Sequence, residues 1–198
     1  MFTGIVSAIG TIVRAEPRET GLRLTIDAGP LDLQDVGIGD SIAINGVCLT
    51  VVAITGRVFE VDVSQETIGC TVGLGMQGSV NLEKSLRLAD RLGGHLVAGH
   101  VDGVGEVIAF EPVGENRRLV VRAPRELTKY IARKGSVTVQ GVSLTVNRVD
   151  DAQFEINLIP HTLAATTLQD LAPGARVNLE VDLIARYVER MLEPSSGD

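Results

Sequence analysis

Apolar and polar residues alternate along three early runs of the chain: Ser41–Ile44, Val47–Val51 and Phe59–Val63. A period of two sends successive side chains to opposite faces of a β-strand, so each run predicts a strand with one buried face. Glycine or Gly-Asp pairs between the runs supply the turns. The pattern then returns. Ser41-Ile42-Ala43-Ile44-Asn45-Gly46-Val47-Cys48-Leu49-Thr50-Val51 reappears as Ser136-Val137-Thr138-Val139-Gln140-Gly141-Val142-Ser143-Leu144-Thr145-Val146, an offset of 95. At that offset Val6 answers Val101, Glu16-Pro17 answers Glu111-Pro112, Phe59-Glu60 answers Phe154-Glu155 and Thr67 answers Thr162. The register resumes two residues longer, where Val80-Asn81-Leu82-Glu83 answers Val177-Asn178-Leu179-Glu180. One register held over about 60 residues marks a tandem duplication.

Each half therefore reads as all-β. Six or so short strands in ~90 residues predict a closed antiparallel barrel, because closure leaves no exposed edge. The charged segment Glu83 to Gly94 ends in Gly-Gly and joins the halves, giving expected domains 1–92 and 93–182. The tail changes period. Ile184, Tyr187, Val188, Met191 and Leu192 fall on one helical stripe, which predicts an α-helix in the segment 183–198. So short a helix is marginal alone in water, so the stripe should dock on its own barrel or on a second subunit.

Composition narrows the function classes. The 198 residues are 44% hydrophobic and 22% charged, a globular balance. A net charge of −7 and three lysines exclude the basic footprint of a nucleic-acid binder. No apolar run reaches the ~18 residues of a membrane span. With no Trp and 3% aromatics, the core must be built from Val, Ile and Leu. Two cysteines, Cys48 and Cys70, form no disulfide framework and fit no zinc spacing, so the expected setting is a reducing cytoplasm.

Alternation puts Cys48 and Thr50 on the polar face of one strand, and Ser143 and Thr145 on its repeat. Glu60, Asp62 and Ser64 share a face opposite Phe59, Val61 and Val63. A solvated barrel exterior explains hydroxyls there, but a free cysteine is disfavoured on such a face. His95 and His100 lie five apart in Gly93-Gly94-His95-Leu96-Val97-Ala98-Gly99-His100, with no nearby third ligand for a metal. A histidine acting as acid or base near neutral pH is the better reading. The halves also differ where they match: Cys48 faces Ser143, Asn45 faces Gln140, Glu66 faces His161 and Ile5 faces His100. Such differences let two related pockets treat similar ligands unequally.

The motifs Met1-Phe2-Thr3-Gly4-Ile5-Val6, Asn45-Gly46-Val47-Cys48-Leu49-Thr50, Gly93 to Val101, Gly141-Val142-Ser143-Leu144-Thr145, Ile159-Pro160-His161-Thr162 and Val177 to Asp182 occur in order along nearly the whole chain. Together they resemble the riboflavin synthase family. The resemblance implies two six-stranded Greek-key barrels and a C-terminal helix that assembles a homotrimer. It implies a transferase reaction in which two 6,7-dimethyl-8-ribityllumazine molecules exchange a four-carbon unit, giving riboflavin and 5-amino-6-ribitylamino-uracildione, without cofactor or metal. The alternative is a non-catalytic, antenna-type lumazine or flavin binder of the same fold.

Carried over by motif, Cys48, His100, Ser143 and Thr145 are the expected catalytic residues. Binding is expected from Phe2, Gly4, Ile5, Val6, Ser41, Cys48, Leu49, Thr50, Asp62, Val63, Ser64, Gln65, Glu66 and Thr67 in the first half. In the second half it is expected from Gly99, His100, Val101, Lys134, Ser143, Leu144, Thr145, Asn157, Leu158, Ile159, Pro160, His161 and Thr162. Asp182 matches an acidic family position near the subunit seam. His161 departs from relatives that carry an acid there.

Overall fold

The computed structural model describes residues 1–192. In the first half, β1 (Ala8–Arg18), β2 (Gly21–Asp27), β3 (Ser41–Ile44), β4 (Val47–Thr55), β5 (Val58–Ser64) and β6 (Gly78–Lys84) form a closed antiparallel barrel, in the order β1-β2-β5-β4-β3-β6. A short helix, α1 (Gln65–Cys70), leaves the end of β5 and is capped by Ser64. The predicted alternation is seen in β4, where Val47, Leu49 and Val51 point into the core and Cys48 and Thr50 point away from it.

The second half repeats these elements nearly residue for residue. They are β7 (Gly103–Val113), β8 (Asn116–Arg122), β9 (Ser136–Val139), β10 (Val142–Thr145), β11 (Arg148–Asp150), β12 (Gln153–Leu158), α2 (Pro160–Ala165) and β13 (Arg176–Val181). Even the irregularities recur: pairing shifts between Ile12 and Arg14 in β1 and between Val107 and Ala109 in β7. One strand differs from expectation. The counterpart of β4 is broken at Val146-Asn147 into β10 and β11, giving seven strands in the order β10-β9-β13-β7-β8-β12-β11. Its two edge strands are consecutive in the chain, so the sheet comes round on itself through the backbone rather than through a continuous ladder. The Val146 N–H donates to Gly135 O on one side, and the Asn147 N–H to Glu155 O on the other. In the first half the same place is a milder shift, between Val51 and Ala53.

Two separate apolar cores result, one around Phe59, Ile12 and Leu24 and one around Phe154, Leu119 and Ile156. Truncating either phenylalanine to alanine would cost ~3–5 kcal/mol by lost burial and an unfilled cavity.

The halves meet about a pseudo-two-fold axis. Phe2 and Val97, equivalent by the repeat, form an antiparallel bridge across it. The hairpin tips Asn45-Gly46 and Gln140-Gly141 touch there, all four residues at positive φ. A Cβ on Gly46 would lie 2.8 Å from the Gly141 nitrogen, so only glycine permits this approach. Buried Asn81 and Asn178 bond crosswise: the Asn81 Nδ2 donates to Gln140 O at 3.0 Å and the Asn178 Nδ2 to Asn45 O at 3.1 Å. Helix α3 (Leu183–Leu192) follows β13. Arg186 pairs with Asp102, and Glu189 with Lys129 and Tyr130, while the predicted stripe of Ile184, Tyr187, Val188, Met191 and Leu192 stays exposed. Residues 193–198 of the expected tail lie outside the described residues.

Candidate active site

β4 pairs with β5 only from Val51 onward, which leaves Cys48–Thr50 unladdered on that side. The segment Gly99–Val101, from the other half, lies beside this opening. Gly99 O accepts from the Cys48 N–H at 2.8 Å, and Val101 packs on the first core. The arrangement is mirrored in the second half. Gly4 O accepts from the Ser143 N–H at 2.7 Å, and Val6 packs on the second core. Gly4 and Gly99 have φ of 75° and 79°, and a Cβ on either would come within 2.6 Å of the Ser143 or Cys48 Cβ. Each barrel thus has a groove whose one wall is a glycine-anchored strip from its partner.

The groove at Cys48 collects the half-buried thiol, exposed Thr50, half-buried Ser41 across the β3–β4 ladder, and exposed His100. Its far wall is the end of β5 and the start of α1. There Ser64 Oγ accepts from the Thr67 N–H at 3.1 Å, with Gln65 and Glu66 exposed. Asp62 is exposed but occupied: Arg23 donates to both its oxygens, at 2.7 and 2.6 Å, and this holds its carboxyl below the usual range. The groove at Ser143 collects exposed Thr145, Ile5 and Lys134, the last at a positive φ of 67° with its N–H on Val146 O. Its far wall is exposed Asn157, Ile159, Pro160 and His161, with half-buried Thr162 in α2.

Burial limits how several of the expected residues can act. Phe2 has no exposed surface; it packs on Ala43, Val97 and Cys48 as an apolar anchor and offers no free ring face to a ligand. Leu49, Val63, Leu144 and Leu158 point into the barrel cores, so only their backbones can face a ligand. The strip that carries His100 is hydrogen-bonded to the Cys48 strand.

The histidine at Ser143 is His95. Its Nδ1 lies 2.7 Å from Ser143 Oγ, its backbone N–H donates to Thr3 O, and the residue is only 9% exposed. Its Nε2 is buried without a partner among the described residues. Burial holds the imidazole below its ordinary range, with the charge of Asp182 opposing. The ring is therefore neutral near pH 7 and, in one tautomer, accepts the Ser143 hydroxyl proton. Asp182 itself accepts the Ile184 N–H at 3.0 Å, at the start of α3. Sequence reasoning weighed His95 but assigned the chemistry to His100. The available signal was Gly-Gly before His95: a Cβ on Gly94 would lie 2.1 Å from Thr3 O and 3.0 Å from Ser143 Oγ, so this segment must pass close to both.

Two buried carboxylates were also missed. Glu83 and Glu180 occupy equivalent places on β6 and β13 and grip the two strips, as described below. Their signal was a charged residue kept at the same place of both repeats. Among the described residues, no group of three His, Cys, Asp or Glu side chains is placed to hold a metal ion.

Two grooves of one design, each lined by backbone, hydroxyls and a side chain of its own, Cys48 in one and Ser143 in the other, define a tandem-domain protein. The Lumazine binding domain profile matches twice, at residues 3–85 and 98–182. Among relatives, the riboflavin synthase of Mycobacterium tuberculosis H37Rv is 46% identical over 97% of this chain and 98% of its own. That of Photobacterium phosphoreum is 45% identical over 97% and 89%. That of Brucella abortus is 43% identical over 98% of each. Among solved structures, LumP complexed with riboflavin superposes with a TM-score of 0.81 at 27% identity, covering 91% of this chain and 99% of that one. LumP complexed with 6,7-dimethyl-8-(1'-D-ribityl) lumazine gives 0.78 at 26%, with the same coverage. The chain belongs to the riboflavin synthase family of lumazine-binding proteins.

Proposed function

We propose that this chain is a transferase that converts two molecules of 6,7-dimethyl-8-ribityllumazine into riboflavin and 5-amino-6-ribitylamino-uracildione. The observation that carries the reading is the pair of equivalent grooves with unequal chemistry: a thiol and an exposed histidine at one, a Ser143–His95 pair at the other. Two copies of one substrate need two related pockets, and donor and acceptor roles need those pockets to differ. The atoms of two lumazines equal those of the two products, so no oxidant, water or cofactor enters the balance.

In this reading the donor lumazine lies in the Ser143 groove. Its C7 methyl is acidic because the carbanion delocalises into the electron-poor ring. Ser143, with its hydroxyl on neutral His95, relays that proton, and Thr145 stands two residues along the same face. The acceptor lies in the Cys48 groove, where the Cys48 sulfur adds to the ring as its proton passes to the ring. This makes the neighbouring carbon ready for the incoming carbon nucleophile, and the sulfur leaves again, regaining a proton, before the products form. Holding two rings face to face supplies much of the acceleration, ~7–11 kcal/mol at best. The backbone groups of Gly4–Val6 and Gly99–Val101 that Glu83, Glu180 and the reactive strands do not engage suit the donor–acceptor edge of the pteridine, and Lys134, Ser41 and Thr50 suit the ribityl chain.

Donor and acceptor come together between the first barrel of one subunit and the second barrel of a neighbour, in a homotrimer assembled through α3. The exposed apolar stripe of that helix supports this assembly. Free Cys48 and Cys70 support a reducing, cytoplasmic setting. No described helix is long and apolar enough to cross a membrane.

The test is to mix purified protein with 6,7-dimethyl-8-ribityllumazine alone and separate the products by chromatography. One mole of riboflavin per two moles of lumazine is expected. Tight lumazine binding with no turnover would favour the antenna-type reading, to which the LumP likeness also points. Retention of Cys48, His100, Ser143 and Thr145 favours the enzyme.

A further inference from the structure

The strips that wall the two grooves belong to no sheet beyond the single Phe2–Val97 bridge, yet their backbones are held tightly. The holding groups are two carboxylates. Glu83 on β6 is 7% exposed and accepts from the Thr3 N–H at 2.7 Å, the Thr3 hydroxyl at 2.7 Å and the Gly4 N–H at 3.0 Å. Glu180 on β13 is 4% exposed and accepts from the Ala98 N–H at 2.7 Å and the Gly99 N–H at 3.0 Å. Both pairs of N–H bonds have the same lengths, and both involve a glycine whose carbonyl bonds the reactive strand of the opposite barrel. At positive φ, Gly4 presents its N–H to Glu83 and its C=O to Ser143, while Gly99 presents its N–H to Glu180 and its C=O to Cys48. A buried carboxylate is costly unless fully hydrogen-bonded, so a merely space-filling role would be served better by an apolar side chain.

We propose that Glu83 and Glu180 are positioning residues acting crosswise: Glu83 of the first barrel sets the groove at Ser143, and Glu180 of the second barrel sets the groove at Cys48. Each groove then depends on a carboxylate from the barrel that does not own its reactive strand. Glu180 fixes where His100 and the Gly99–Val101 backbone stand against the acceptor, and Glu83 fixes Ile5 and the Gly4–Val6 backbone against the donor. The inference rests on the assignment of these grooves to the two lumazines.

Glutamine keeps the shape of glutamate but turns one acceptor into a donor, which faces one of the two N–H groups and breaks that bond. The test uses the full-length protein in a Cys70→Ser background, so that a thiol reagent reports on Cys48 alone. Riboflavin should slow Cys48 modification in this parent. Glu180→Gln should raise the riboflavin concentration giving half protection about tenfold, whereas Glu83→Gln should leave it unchanged. Both should lower kcat about tenfold or more in folded protein, because each disturbs one of the two partners in the reaction. Glu180→Asp keeps the charge but is one methylene too short, and carries the same expectation if the glutamine variant does not fold. Equal shifts in Cys48 protection from Glu83→Gln and Glu180→Gln would overturn the crosswise assignment. Parental protection and parental kcat in all variants would remove the positioning role altogether. A parent protein that neither binds riboflavin at Cys48 nor forms it would instead defeat the functional reading.

Discussion

At the scale of single residues, the chemistry rests on what a serine hydroxyl can do. Free serine is a poor base and a poor acid at neutral pH, so Ser143 needs the imidazole 2.7 Å away. His95 suits that task because burial keeps it neutral. If serine and histidine act as one relay, His95→Gln and Ser143→Ala should each lower kcat about 10²-fold, within the range of general acid–base catalysis. The double variant should be little worse than either single one. Steady-state rates with lumazine measure this directly, and multiplying losses would mean that the two groups work independently. Ser143 was legible from strand alternation, because its face could be counted. His95 was not, because its contact joins residues 48 apart in sequence across the seam between halves. The surroundings of Phe2 were hidden for the same reason: nothing in a single strip shows that Ala43 and Val97 cover it.

At the scale of elements, β4 and β5 and their repeats β10 and β12 were legible because their burial follows period two. By contrast, β3, β6, β9 and β13 are buried on both faces and show no such alternation. The break between β10 and β11 could not be read, because the Asn147 that answers Val52 is by itself compatible with a continuing strand. Also hidden were the joints between each strip and the strand that grips it. Alternation places Glu180 on the outer face of β13, and only the crossing strip makes that face an interior. Burial then raises the Glu180 carboxyl to about 7, against the backbone N–H groups of Ala98, Gly99 and His100 that pull it down, and raises Glu83 in the same direction. A carboxyl that holds its proton more tightly folded than unfolded stabilises the native state below the unfolded value of about 4.5, and that contribution is lost as pH rises through 7. The loss for Glu180 is ~3 kcal/mol between pH 4.5 and 8. His95 acts in the opposite sense, gaining stability as pH rises toward 6.5. Urea denaturation at fixed protein concentration should therefore show the stability of Glu180→Gln relative to the parent rising from pH 5 to pH 8. A difference that does not change with pH would mean that Glu180 titrates in its ordinary range.

At the scale of the whole molecule, the duplication gives one chain two grooves, but it sets them on either side of the Phe2–Val97 axis. Each groove is built by both barrels, so neither barrel alone would have a complete one. Reaction between two bound lumazines requires their rings to touch. In the proposed assembly a neighbouring copy brings a second-barrel groove against a first-barrel groove. Helix α3 is built for such an encounter. Its polar side is tied down by Arg186 to Asp102 and by Glu189 to Lys129 and Tyr130, which fixes the direction of its exposed apolar side. Val188 and Met191 lie on that apolar side and touch none of the groove residues by sequence or strand pairing. Replacing either with aspartate would place a charge in the proposed seam, where an unpaired desolvated charge is strongly disfavoured. Light scattering should then show the mass of one chain instead of three. Riboflavin formation should fall steeply, while riboflavin still protects Cys48, because each groove is complete within a single chain. A variant that kept its trimeric mass would remove α3 from the seam. A monomer that kept full activity would show instead that both lumazines meet within one chain.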